Sequence, residues 1–165
     1  MAALSAGTRA LGFTLPTVQG KQFSLYEALN KGPVVLAFFK TSCPVCQYAF
    51  PFIERVYLAN QGANLTVLGI SQDKVRDTRE FLREYGVTFP VALDDPAKYA
   101  VSNAYGLTNV PTLFYIAPGG EIEISSVGWS KVDVEAINQK LAQHREQAPA
   151  ALWHKGEDVQ DFRAG

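Results

Sequence analysis

Cys43 and Cys46 are the only cysteines in this 165-residue chain, and they flank Pro44-Val45 directly after the apolar run Val34 to Phe39. A strand that delivers two thiols, three positions apart, to the first turn of a helix suits thiol-disulfide exchange. The first thiol faces the unpaired N–H groups and positive dipole end of the helix, which stabilise a thiolate. The second, one turn further in, is placed to attack a mixed disulfide formed at the first. Pro44 fits the first helical turn, where its missing N–H has no helical partner. Lys40, just before the motif, carries a charge that would tune thiol ionisation, although a solvated lysine at a strand end is the simpler reading.

Two other uses of paired cysteines compete with exchange. A closed zinc site asks for four ligands. There is no second cysteine pair, and His144 and His154 lie about a hundred residues further along. Two inert core thiols are the blander alternative, since free cysteine is commonly buried, but the strand-to-helix context argues against it. No metal and no cofactor is called for.

The rest of the composition is that of an ordinary globular chain. With 47% hydrophobic and 12% aromatic residues it can bury one substantial core, and its length argues for one domain. Fifteen basic and 16 acidic side chains give a formal charge of -1, so nothing in the charge suggests a nucleic-acid footprint or an electrostatic membrane anchor. No apolar stretch approaches the roughly 20 residues needed to cross a bilayer. The start of the chain lacks a basic opening and a sustained apolar segment, so a cytoplasmic location is expected. In a reducing compartment a close cysteine pair points to catalysis, redox sensing or metal binding rather than to a permanent cross-link.

The elements that must position the motif can be read from punctuation. Ser24 to Glu27 has the spacing of a capping box and opens a short helix ending near Gly32-Pro33. Val34 to Phe39 reads as a buried strand, and Ala49, Phe52, Ile53, Val56 and Tyr57 recur at helical spacing, predicting one helix from about Cys43 to Ala59 with Pro51 inside it. Asn64 to Ser71 reads as a strand covered on both faces. Thr78, Phe81, Leu82 and Tyr85 mark a helix stopped at Gly86. Phe89 to Leu93 is a short strand, and a helical stretch runs from Asp95-Pro96 toward Tyr105-Gly106. Thr112 to Ala117 and Glu121 to Val127 form a hairpin across Pro118-Gly119-Gly120, and Ser130 caps a last helix carrying Val134, Ile137 and Leu141. The alternation implies an α/β fold, a central mixed β-sheet flanked by helices on both faces.

These elements, taken in order, resemble the thioredoxin superfamily, and within it the redoxins close to the TlpA-like reductases and the alkyl hydroperoxide reductase/thiol-specific antioxidant (AhpC/TSA) grouping. The resemblance covers roughly residues 12 to 143. It rests on Phe13 to Pro16 with Gly20 to Leu25, on Val34 to Cys46, on Pro51, on Leu68 to Lys74 leading to Phe81 to Val91, and on Tyr105 to Ile116 with its Val110-Pro111-Thr112. It implies a thioredoxin-like fold and a thiol-disulfide oxidoreductase, with Cys43 as nucleophile and Cys46 as resolving thiol. It also implies a cis bond before Pro111, which turns the Val110 backbone toward an incoming extended peptide. Val110, Pro111 and Pro44 are thus the expected substrate-binding residues. The expected partners are a protein or small-molecule disulfide substrate and an upstream thiol reductant, with no nucleic acid and no membrane, and the expected state is a monomer.

The chain also departs from the family pattern. Ala37 stands where thioredoxins carry a buried Asp, and Ala49 where TlpA-like reductases carry a Glu, so neither usual carboxylate is there to deprotonate Cys46. Phe39 and Ser42 stand where tryptophans are common. A peroxiredoxin-type peroxidase is the alternative on the same fold. Its Thr-x-x-Cys pattern fails, since counting from Thr41 reaches Pro44, and the arginine expected near the later strand is replaced by Pro111-Thr112. A non-enzymatic metal carrier or redox-sensing adaptor is a third reading. Residues 1–145 are assigned to the domain, and residues 146–165 to an extension expected to be unstructured from its position and its Pro and Gly content. Trp129 is expected to be a partly buried packing residue.

Overall fold

A computed structural model describes residues 2–165. In chain order the elements are β1 (Thr14–Pro16), β2 (Gln22–Ser24), α1 (Leu25–Leu29), β3 (Val34–Phe39), α2 (Pro44–Ala59), β4 (Thr66–Ser71), α3 (Val75–Glu84), β5 (Val91–Leu93), α4 (Ala100–Ala104), β6 (Thr112–Ile116), β7 (Ile122–Val127), β8 (Trp129–Ser130), α5 (Lys131–His144) and β9 (Phe162–Arg163). The central sheet has the order β5-β4-β3-β6-β7. β3 runs parallel to β4 and antiparallel to β6, and β4 runs parallel to β5. β3 is therefore the innermost strand, and all six of its residues are buried, as its uninterrupted apolar sequence requires.

Alternation along β3 divides the core in two. Val35, Ala37 and Phe39 face one side with α2, Phe81 of α3, and Val134, Ile137 and Leu141 of α5. Val34, Leu36 and Phe38 face the other with Leu25 and Leu29 of α1 and Val101 of α4. Helices thus cover both faces of the mixed sheet. Phe39 anchors the first side, its ring centroid 4.3 Å from Phe50 and 4.9 Å from Phe81. Capping follows the sequence signals: Ser24 Oγ accepts the Glu27 N–H and Ser130 Oγ the Asp133 N–H. No helix among the described residues is long and apolar enough to cross a membrane.

Three expectations differ from the structure. Of the helical stretch predicted over 95–105, only Ala100–Ala104 is helical. The Asp95 carboxylate takes the Ala97 N–H and the buried Asp94 takes the Val101 and Ser102 N–H groups, while Tyr99 adopts a left-handed φ of 48°. Short acidic side chains here offer the backbone an alternative to the helix ladder. Trp129 is fully rather than partly buried. The extension beyond 145 is not an unstructured tail: Leu152 and Val159 enter the α2/α5 side of the core. Arg55 of α2 holds both Glu157 oxygens at 2.7 and 2.8 Å, and Trp129 Nε1 donates to the Gln160 carbonyl at 2.6 Å.

Candidate active site

β3 ends at Phe39, and the next four residues carry the chain to α2. Cys43 occupies the N-cap of α2, with an extended backbone, and Pro44 is the first helical residue. The cap side chain is a thiol instead of the usual hydroxyl or carboxylate, and its sulfur accepts the Cys46 N–H at 3.1 Å. One of the helix's otherwise unsatisfied N-terminal donors, the Cys46 N–H, is thus aimed at Cys43 Sγ. Both cysteines are free thiols; Cys43 is half-buried and Cys46 fully buried. The loop that presents them is pinned on two sides, because Thr41 N–H donates to Asp73 Oδ2 at 2.7 Å and Thr41 O accepts from Gln47 Nε2 at 3.0 Å.

Cys46 shares its core with Ala37, Ala49, Phe39 and Phe50. Burial therefore pushes its thiol well above the ordinary range, and the neighbouring Cys43 and the charge of Asp73 push the same way, against a hydrogen bond from the Lys40 backbone. Ala37 and Ala49, in place of the expected carboxylates, share this apolar core with Cys46. The one buried acid of α2, Glu54, is engaged elsewhere, taking the Thr88 N–H at 2.9 Å and the Thr88 hydroxyl at 2.5 Å.

The bond between Val110 and Pro111 is cis. Pro111 is buried at the start of β6, and Cys43 Sγ donates to the Val110 carbonyl at 3.4 Å. Cys43, Cys46, Val110 and Pro111 therefore come together at one end of the central strands, with Pro44 exposed beside them. Lys40 lies on the other side of the Val110 loop. Its Nζ sits 5.4 Å from the centroid of the Tyr99 ring, and it lines an open cleft with Gln72, Ser102, Asn109 and Val110.

Asp73 was not singled out by its sequence context. Parallel pairing of β3 with β4 sets Phe39 opposite Ser71, so the residues following each strand meet at the same edge, where ligands of open α/β sheets bind. That edge rule, applied to the acid two residues past β4, was the available signal.

This placement of a dithiol at the helix following an inner strand, facing a cis-proline, is the arrangement used by thioredoxin-like thiol-disulfide oxidoreductases. Residues 6–125 match the AhpC/TSA family, and the chain belongs to it. It is 33% identical over 121 residues to the thiol-disulfide oxidoreductase ResA of Bacillus subtilis strain 168, covering 72% of this chain and 65% of that one. It is 33% identical over 139 residues to the ResA of Halalkalibacterium halodurans, covering 82% and 77%. Among solved structures it is similar to a thiol:disulfide interchange protein of the thioredoxin family from Chlorobium tepidum TLS, at 28% identity and a TM-score of 0.69, covering 84% of this chain and 99% of that one.

Proposed function

We propose that the protein reduces disulfides, protein disulfides first among them, with Cys43 as nucleophile and Cys46 as resolving thiol. The observation that carries this reading is the half-buried Cys43 sulfur held between the Cys46 N–H and the Val110 carbonyl. The Cys43 thiolate attacks one substrate sulfur, the substrate S–S bond breaks, and the departing thiolate takes up a proton. Cys46, once deprotonated, attacks Cys43 Sγ, releasing the second substrate thiol and leaving a Cys43–Cys46 disulfide. Two electrons and two protons have then passed to the substrate, and an upstream thiol reductant restores the dithiol. Val110 and Pro111 would align an extended substrate through main-chain pairing, Pro44 would form part of the rim, and Lys40 would draw anionic groups toward the cleft.

The peroxidase alternative lacks its sequence pattern, since Pro44 stands where that chemistry wants a cysteine and Pro111-Thr112 where an arginine is expected. The metal-carrier alternative would have to rely on the two thiols themselves, since no cluster of three or more His, Cys, Asp or Glu among the described residues could hold an ion. Turnover of a protein disulfide with dithiothreitol as reductant tests the proposal. Activity in the native chain and its loss in Cys43→Ser are expected; undiminished activity in Cys43→Ser would overturn the assignment.

A further inference from the structure

The last residues of the described chain lie against the same carbonyl that faces Cys43. Ser130 pairs with Phe162 and Trp129 with Arg163 in an antiparallel ladder, which carries the backbone of 163–165 over Gly128 and up to Val110. A β-carbon built on Gly165 would stand 2.5 Å from the Val110 oxygen, and one on Gly128 would stand 2.5 Å from the Arg163 oxygen and 3.0 Å from the Gly165 nitrogen. Asn109 Nδ2 donates to the Gly165 carbonyl at 3.0 Å. Backbone therefore lies on backbone along the side of the Val110 loop where an extended peptide would have to run, since β6 is flanked by β3 on its Cys43 side and by β7 and Gly128 on the other.

The hold on this segment is uneven. Upstream, Leu152 and Val159 are buried, and Gln160 is clamped by Trp129 Nε1 and by the Tyr48 hydroxyl, which accepts the Gln160 N–H at 3.0 Å. Beyond Gln160 the contacts are main-chain pairs, the Asn109 bond, and the Arg163 guanidinium 5.1 Å from the Tyr48 ring, while Phe162 is 62% exposed. A short edge strand that buries none of its own side chains opens at low cost compared with the core. We propose that residues 162–165 form a displaceable strap that sets substrate choice: compact disulfides reach Cys43 with the strap in place, and linear peptide disulfides react only when it lifts. This rests on the thiol-exchange reading of Cys43 and Val110.

The test compares the reduced native chain with a variant ending at Asp161, which keeps Val159 and Gln160. Single-turnover rates are measured with bis(2-hydroxyethyl) disulfide and with a linear peptide carrying a mixed disulfide to mercaptoethanol. Removal of the strap is expected to raise the peptide rate by about tenfold, the gain for a site open about a tenth of the time, and to leave the small-disulfide rate within about twofold. Asn109→Ala, which unties Gly165 without removing any residue, should shift the peptide rate in the same direction by a smaller factor; it serves alone if the shortened chain fails to fold. An unchanged or slower peptide rate, or an equal rise with both substrates, would overturn the strap. No reaction of the native chain with either substrate would instead overturn the exchange reading beneath it.

Discussion

Cys46 serves Cys43 twice: its backbone N–H donates to the Cys43 sulfur at 3.1 Å, and its own thiol lies one helical turn deeper, fully buried. In the proposed exchange the first contact would support the attacking sulfur, and the buried second thiol would act only on the mixed disulfide formed at Cys43. Cys46→Ser keeps the N–H and removes the resolving sulfur. It should therefore still react once with a protein disulfide, accumulate a covalent adduct visible by mass spectrometry, and lose turnover.

Because burial raises the Cys46 thiol, its ionisation sets the pH profile of the resolving step. Resolution should speed up as pH rises through the alkaline range. Asp73→Asn removes a negative charge that pushes the thiol in the same direction as burial, so the profile should move to lower pH, which thiolate absorbance of Cys46 in a Cys43→Ser background would report. Above the ordinary thiol value of 9.0 the unfolded chain loses the Cys46 proton and the folded chain keeps it, so reduced-state stability falls as pH rises beyond that point and is unaffected below it.

Glu157 gives the opposite pH response. The Arg55 guanidinium, with help from the His154 N–H, lowers its carboxyl from 4.5 to about 2. Its contribution to tail docking is then complete above about 4.5 and lost as pH falls toward 2. The fluorescence of Trp153, which packs on Phe52 at 5.5 Å, should change across that window, and Glu157→Gln should remove the transition.

The strand and the thiol-bearing helix are legible because each is written locally, as a wholly apolar run and two cysteines at helical spacing, whereas the cis bond before Pro111 follows from the family resemblance and not from any local signal. Ser24 and Ser130 announce their helices locally too. What was hidden depends on partners far along the chain. Leu152 and Val159 carry no periodicity, so nothing local shows that they fill the core beside α2 and α5, or that Arg55 waits for Glu157. Asp73 becomes part of the site only through the parallel register of β3 and β4. The shortened α4 was misread because Asp94 and Asp95 compete for the very amides that a longer helix would use.

Ala49 is 1% exposed and shares the core with Cys46. Ala49→Glu would set a carboxylate beside the resolving thiol. A positioned base contributes about a hundredfold at the low end of its range, so resolution at neutral pH should accelerate by about that factor in stopped-flow measurements. Burying an unpaired carboxylate should also cost about 3 kcal/mol of stability, read by denaturant unfolding.

A redox titration of the Cys43/Cys46 pair in glutathione or dithiothreitol buffers, followed by alkylation and mass analysis, tests the dithiol account most directly. A reversible two-electron couple is expected, changing tenfold in ratio for every ~30 mV, with a midpoint at or below about -240 mV, on the reducing side of the glutaredoxins, and absent from Cys43→Ser. A midpoint near about -180 mV or higher, or no reversible couple, would contradict it.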